Sequence, residues 1–332
     1  MELLIAKKKD KDIWDKAVLK SERGTIFHTW DWLEILEESS GLRLYYLLLF
    51  DGDELFGIFP IFEGKKYFLK YGYSPPPGFE MTYLGPLFIR YMNLKQNKKE
   101  EKILKATREF DSFFFSEQKY NYVDFGTVPG FEEIKPILWR GYKARPKFTY
   151  NLSLDKSLDK LWCGLSRSAK KEIKKAKKNG IKMRTGDWKE LKFIQKRRIE
   201  RSREIGRSVP KLKDYFKKLF DCFFPEKLKI FVAEDDCGKL ISGSIILIFK
   251  DKGYGWVGLH KGNDTYTNTF LLWEVICWSK RKGLSSFEIM DAGNALRTCR
   301  FKSKFNPQTY TWFNISKYLS NRSKLVRNIL KY

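Results

Sequence analysis

The chain has 332 residues, 42% of them apolar and 16% aromatic, which excludes the disordered class and suits two domains better than one. Lys and Arg number 65 against 40 Asp and Glu, a formal charge of +25. A field of that sign draws phosphates, anionic lipid and acidic substrates to a surface, yet many lysine-rich proteins carry it with no polyanion partner at all.

In chain order, a short helix is predicted near Asp12–Ser21. A second follows Thr29 as N-cap, with Trp32, Ile35 and Leu36 at helical spacing and Gly41 closing it. LRLYYLLLF (42–50) reads as a buried strand, DGDE as a turn, and LFGIFPIF (55–62) and KKYFLKYGY (65–73) as further strands. After the loop SPPPGFE, residues 95–118 form a long amphipathic helix, and YNYVDFG (120–126) is a strand ending in Asp124-Phe125-Gly126. Past the linker KARPK, a strand covers 148–154. SLDKLWCGL and LWCGLSRSAKKEIKKAKKNGIKMR (161–184) are helical, as are 188–206 and 211–224. Strands follow at 228–234, 240–249 and 253–261, then a helix at 268–283 and a strand at 285–293 ending in Asp291-Ala292-Gly293. The carboxyl end, ISKYLSNRSKLVRNILKY, reads as a basic amphipathic helix that packs on the body or touches an anionic membrane.

The two halves repeat one plan: strand, acidic turn, a strand containing Gly57 or Gly243, another strand, a helix, and a strand ending in Asp-x-Gly. A duplicated order over this distance is more specific than any single short motif. It predicts an α/β protein of the α+β mixed-sheet kind, with a first domain at 1–145 and a second at 146–332, and a basic helical segment (158–220) inserted before the second sheet.

The five cysteines, Cys163, Cys222, Cys237, Cys277 and Cys299, are scattered without a C-x-x-C pair. With only His28 and His260 beside them they form no zinc pattern and read as reduced intracellular thiols. The opening MELLIAKKKDKD is too short in apolar residues for a signal peptide, and no run approaches the ~18 uncharged apolar residues of a membrane span. A cytoplasmic protein without metal or resident cofactor is expected.

Three phrases in this order resemble the Fem-type (FemABX) aminoacyl transferases. IFHTWDWLEIL is similar to the family's opening helix. LWCGLSRSAKKEIKKAKKNGIKMR is similar to its basic helix. LLWEVICWSKRKGLSSFEIMDAGNALRTCRFKSKFN is similar to its helix, strand and F-K-x-x-F ending. The resemblance runs from Thr25 over the rest of the chain. It implies two tandem acyltransferase domains of the GNAT superfamily and acyl transfer to an amine, from aminoacyl-tRNA, onto a cell-envelope or peptide precursor such as one for peptidoglycan. It also implies that Lys302 stabilises developing charge and that Arg167, with Lys171 and Lys175 behind it, holds phosphate. At the place of the family's other phosphate cation stand Glu37 and Glu38, a departure from the pattern.

The residues themselves carry part of this. Trp162, Leu165, Ala169, Ile173 and Ala176 recur at three and four and form an apolar stripe. Arg167, Lys170, Lys171, Lys174, Lys175, Lys177 and Lys178 fill the other face, opposed only by Glu172. Like charges at i,i+4 cost a few tenths of a kcal/mol per pair, a cost that bound phosphate would relieve; a merely solvated face is the competing reading.

Acyl transfer passes through an oxyanion that needs a cation or N–H donors. Phe301 and Phe305 can anchor one face of their helix while Lys302 points elsewhere, with Arg300 and Lys304 as neighbouring phosphate ligands; a surface lysine in a lysine-rich chain is the rival. Asp291, at a strand end where ligands sit in such sheets, could bind the incoming ammonium, accept its proton, or cap the next turn as Asn294 also could; Asp124 is its counterpart in the first half. His28 is read as a cap or packing residue.

A glycine-rich pyrophosphate turn of the R/Q-x-x-G-x-G/A kind is missing from HKGNDTYTNT, before the helix where acyl-CoA enzymes keep it, which disfavours acyl-CoA as donor. A CoA-dependent N-acyltransferase and a non-catalytic nucleic-acid-binding protein remain the alternatives.

Overall fold

The computed structural model describes residues 1–79, 81–204, 213–260, 266–291, 293 and 295–320. Two compact units emerge, Met1–Lys147 with the chain from Thr311, and Phe148–Tyr310. In chain order the elements are β1 (Glu2–Ile5), α1 (Lys11–Lys20), α2 (Trp30–Ser40), β2 (Arg43–Asp51), β3 (Glu54–Lys66), β4 (Leu69–Ser74), β5 (Leu87–Phe88), α3 (Gln96–Asp111), β6 (Tyr122–Gly126) and α4 (Lys135–Leu138). Then come β7 (Lys143–Ser153), α5 (Leu158–Gly164), α6 (Arg167–Lys178), β8 (Lys182–Thr185), α7 (Trp188–Glu204), α8 (Lys213–Phe223), β9 (Leu228–Glu234), β10 (Leu240–Phe249), β11 (Lys252–His260), α9 (Tyr266–Arg281), β12 (Ser286–Asp291), α10 (Leu296–Ser303) and β13 (Gln308–Tyr318).

The first unit's strands run β1-β2-β3-β4-β6-β13, with β5 added to β3. The second's run β7-β12-β11-β10-β9-β8. Each path holds a parallel pair, β4–β6 in one and β11–β12 in the other. Parallel neighbours need a long crossover, and α3 and α9 supply it. The repeat visible in the sequence is thus a repeat of topology, with Asp124 and Asp291 in corresponding strands.

Several expectations need correction. Residues 315–318, expected as the start of a helix, are strand: β13 pairs with β6 from Asn314↔Gly126 to Tyr318↔Tyr122. The stretch TYTWFNISKY is rich in β-branched and aromatic residues, and the pairing returns it to the first unit. The remainder of that helix, 321–332, lies outside the described residues. The lysine-rich stretch is not one helix: it breaks at Leu165 and Ser166, both extended, and the Ser166 side chain accepts the Ala169 N–H at 3.1 Å to cap α6. Thr29 stands at the N-cap of α2, yet its hydroxyl donates to the Ile26 carbonyl at 2.7 Å instead of capping. Gly41 closes α2 in the left-handed region, φ 66°. The helix expected through Arg184 ends at Lys178, and Lys182–Thr185 forms strand β8; strands β1 and β5 had no expectation, each being four residues or shorter, below what periodicity reads.

His28 is fully buried, as a packing residue. Its Nε2 faces the Leu84 carbonyl at 2.6 Å, so that nitrogen carries the proton, and Nδ1 accepts from the Thr25 hydroxyl at 2.8 Å. Burial drives its pKa from 6.5 down to about 4, against the pull of the nearby carbonyls. The unfolded chain therefore takes up a proton that the folded one refuses, and stability falls as pH drops from about 6.5 toward 4. His28→Gln, whose amide can still donate to Leu84, should flatten this loss by up to roughly 3 kcal/mol in denaturant titrations across that pH window. Identical pH profiles for the two proteins would contradict the assignment.

Candidate active site

Strand β11 pairs with β10 along its length, from Phe249↔Lys252 to Ser242↔His260. Its parallel register with β12 runs only from Lys252↔Ser286 to Tyr254↔Glu288. β12 meanwhile slips register against β7 between Glu288 and Met290, and Met290 adopts φ 63°. Left-handed backbone is an outlier for a bulky residue, so tertiary context holds it there. The strands part beyond Tyr254, and a cavity of about 800 Å³ opens between β10, β11, β12, α9 and α10. Gly255 and Gly258 line it from β11. A Cβ on Gly258 would point into open space, and one on Gly255 would press the Phe287 ring at 3.3 Å.

Helix α10 buries none of its own residues. It is held through the turn that follows it: Phe305, only 2% exposed, packs edge-on against Phe301 with ring centroids 5.9 Å apart. On this short helix Lys302 is half-buried, and its Nζ donates to the Met290 carbonyl at 3.0 Å. The bulge on β12 thus turns a carbonyl outward that fixes the ammonium at the mouth of the wedge. Lys304 donates to both Glu172 oxygens, at 2.7 and 2.9 Å, and its carbonyl accepts the Ser166 N–H at 2.9 Å. The start of α6 is therefore bonded to the end of α10.

Of the expected site residues, Arg300, Lys302 and Lys304 line this cavity. Arg167, Lys171 and Lys175 do not appear in its lining among the described residues; they are exposed on α6, while Ala169, Ile173 and Ala176 bury the opposite face. Arg167 directly follows the Ser166–Lys304 bond, so it begins α6 beside the α10 terminus. The Lys175 ammonium lies over the Tyr266 ring, 4.8 Å from its centroid. Asp291 ends β12 opposite Thr149, but its side chain and Asn294 lie outside the described residues. Asp124 serves packing: its carboxylate accepts from the Tyr122 hydroxyl and from Asn314 Nδ2. Glu37, at the departed phosphate position, accepts the Leu44 N–H at 2.8 Å.

Sequence reasoning missed Arg297, also in the lining, and the roles of Glu172 and Met290. Arg297, Arg300 and Lys304 recur at i, i+3 and i+7, a legible cationic face. Glu172, the one acid in a lysine run, was a visible signal too. The Met290 carbonyl is backbone and has none.

Residues 138–243 match the model of the FemAB family, a span that holds α5 and α6 and ends within β10. The fold resembles the crystal structure of FemX with a TM-score of 0.72 at 14% identity, covering 100% of both chains. It also resembles L-PGS from Bacillus licheniformis, with a TM-score of 0.56 at 13% identity over 96% of this chain and 95% of that one. A tandem GNAT protein from the clavulanic acid biosynthesis pathway gives 0.54 at 9% identity over 96% and 98%. No curated protein matches the sequence.

The fold is that of the tandem GNAT structures it resembles. Within that class the chain has the Fem-type fold, and the family match with this fold supports an acyl- or aminoacyltransferase. Among the described residues no helix is long and apolar enough to cross a membrane.

Proposed function

We propose that this chain is a Fem-type N-acyltransferase that moves an aminoacyl group from an aminoacyl-tRNA to an amine of an anionic cell-envelope or peptide precursor, with the reaction at the wedge beside Lys302. The amine nitrogen attacks the ester carbonyl and its C=O pair moves onto oxygen. The Lys302 ammonium stabilises that oxyanion, oriented by the Met290 carbonyl. When the tetrahedral centre collapses, the C–O bond breaks and the released ribose hydroxyl takes up the amine's proton, so no protein base is required. Arg297 and Arg300, exposed on the lining, meet phosphate, as do Arg167, Lys171 and Lys175 along α6.

The observation that carries this reading is the half-buried Lys302, tethered at 3.0 Å where β11 and β12 part. The test is transfer of radiolabelled amino acid from aminoacyl-tRNA to amine acceptors, with mass spectrometry of whatever copurifies with the protein. If Arg297 and Arg300 contact phosphate, changing both to Ala should weaken tRNA binding and lower the slope of log K against log salt by about 1 per lost contact. Unchanged affinity and slope would remove them from the binding surface.

A second reading, a CoA-dependent N-acyltransferase, is favoured by one observation. Past Tyr254 no pairing with β12 continues among the described residues, and that edge of β11 could receive an extended thioester arm. Acetyl-CoA binding by calorimetry, with turnover to an amine and none from tRNA, selects it.

A further inference from the structure

One end of the first unit's sheet gathers a surface that the proposed reaction does not use. There β3 turns into β4 through two residues, since Lys66 pairs with Leu69. These two, Tyr67 at 69% and Phe68 at 73%, are the most exposed large apolar side chains among the described residues. Neither packing nor turn chemistry accounts for them. Two-residue hairpins favour Asn-Gly, and Tyr67 stands at φ 54°, where a bulky residue is an outlier. The base of the hairpin is firm: Leu69, 2% exposed, joins a buried cluster with Tyr71 and Tyr122, so the tip is presented on a rigid stem.

Cations flank this hairpin. Lys65 is exposed beside it, and Arg43 is exposed across from Glu63. Lys119 is exposed just before Asn121, whose N–H bonds the Lys70 carbonyl at 2.8 Å. Leu319, 49% exposed, donates its N–H to the Asn121 carbonyl at the same sheet end. Of the acids here, Glu63 is paired with Lys70 at 3.0 Å, Glu37 holds the Leu44 N–H, and Glu38 and Glu117 are exposed.

We propose that this sheet end docks on an anionic lipid bilayer, with Tyr67 and Phe68 inserted at headgroup depth and the lysines and arginines around them against lipid phosphates. The charge argues for this partner over an apolar protein groove. An aromatic tip on a stem flanked by cations matches an interface that is apolar below and anionic above, and tyrosine suits that depth because its ring is apolar and its hydroxyl wet.

The test is cosedimentation of the full chain with phosphatidylcholine vesicles, with and without phosphatidylglycerol. The wild-type chain should partition onto the anionic vesicles and not the neutral ones. Tyr67→Asn with Phe68→Gly restores the favoured turn pair, so it should keep or raise the melting temperature and leave transfer between soluble substrates intact. It should lower the partition coefficient by about ten-fold or more, since two partly buried aromatic side chains leave the bilayer. Lys65→Glu should weaken binding and its salt dependence together. Should the double variant melt lower, Phe68→Ser alone is read on the same assay. The proposal is overturned if wild type fails to bind anionic vesicles, if it binds neutral ones equally, or if the aromatic variants bind as wild type does. A soluble partner at the tip would appear as the first of these.

Discussion

Replacing Lys302 by methionine should cut kcat for acyl transfer by about 100-fold or more while KM moves only a few-fold. Methionine keeps the length and apolar stem of lysine but removes the charge and the donors. A positioned oxyanion donor acts on the transition state far more than on the bound ester, so its loss falls on kcat. The Met290 carbonyl that Lys302 now meets at 3.0 Å would turn to cavity water, which costs the half-buried site little stability. Lys302→Arg keeps the charge on a planar fork of different reach and should recover part of the rate. Turnover of Lys302→Met within a few-fold of wild type would remove Lys302 from the chemistry. A loss matched by a fall in melting temperature would make it a structural residue.

Gly85→Ala should destabilise the first unit by about 3 kcal/mol and lower its melting temperature by on the order of 10 °C. Gly85 sits at φ 57°, and a Cβ there would come within 2.4 Å of the Gly126 carbonyl oxygen, a backbone atom that cannot swing aside. The same few atoms join three parts of the unit. The Gly85 N–H donates to the buried Ser74 hydroxyl at 3.0 Å, at the end of β4. The Leu84 N–H donates to the Gly126 carbonyl at 3.2 Å, at the end of β6. The Leu84 carbonyl receives the His28 proton. Moving Gly126 to admit a methyl group would disturb all three, including the parallel β4–β6 pair on which the repeated topology rests. Calorimetry and denaturant titration would both register it. A change under about 1 kcal/mol would mean that this backbone yields.

What was legible without coordinates is local in origin. β9 and β10 begin and end where LKIFVAE and LISGSIILIF do, because continuous runs of β-branched and apolar residues bounded by turn residues state both type and length. The apolar stripe of α6 read correctly for Ala169, Ile173 and Ala176, since a 3.6-residue period needs no knowledge of the partner. The break at Ser166 did not, because the stripe continues through Leu165 while the backbone departs from the helix. Gly126 and Gly293 look alike in sequence but differ in kind: the first is a strand glycine pressed by the Tyr83 backbone and the Trp312 ring, the second a left-handed one with open space around it.

The sequence by itself therefore determined the duplicated α/β plan and the cationic character of α6 and α10, for each depends on residue type and short spacing, while Lys302 became a candidate through the resemblance of its F-K-x-x-F phrase to a family pattern. Only the tertiary structure decided that Lys304 answers to Glu172, 132 residues away, that Met290 turns its carbonyl to Lys302, and that β11 and β12 separate to leave a cavity. The last two belong to strand register and to backbone groups that every residue shares, and the first to a side-chain pair that only the fold brings together, none of which a local pattern along the chain encodes.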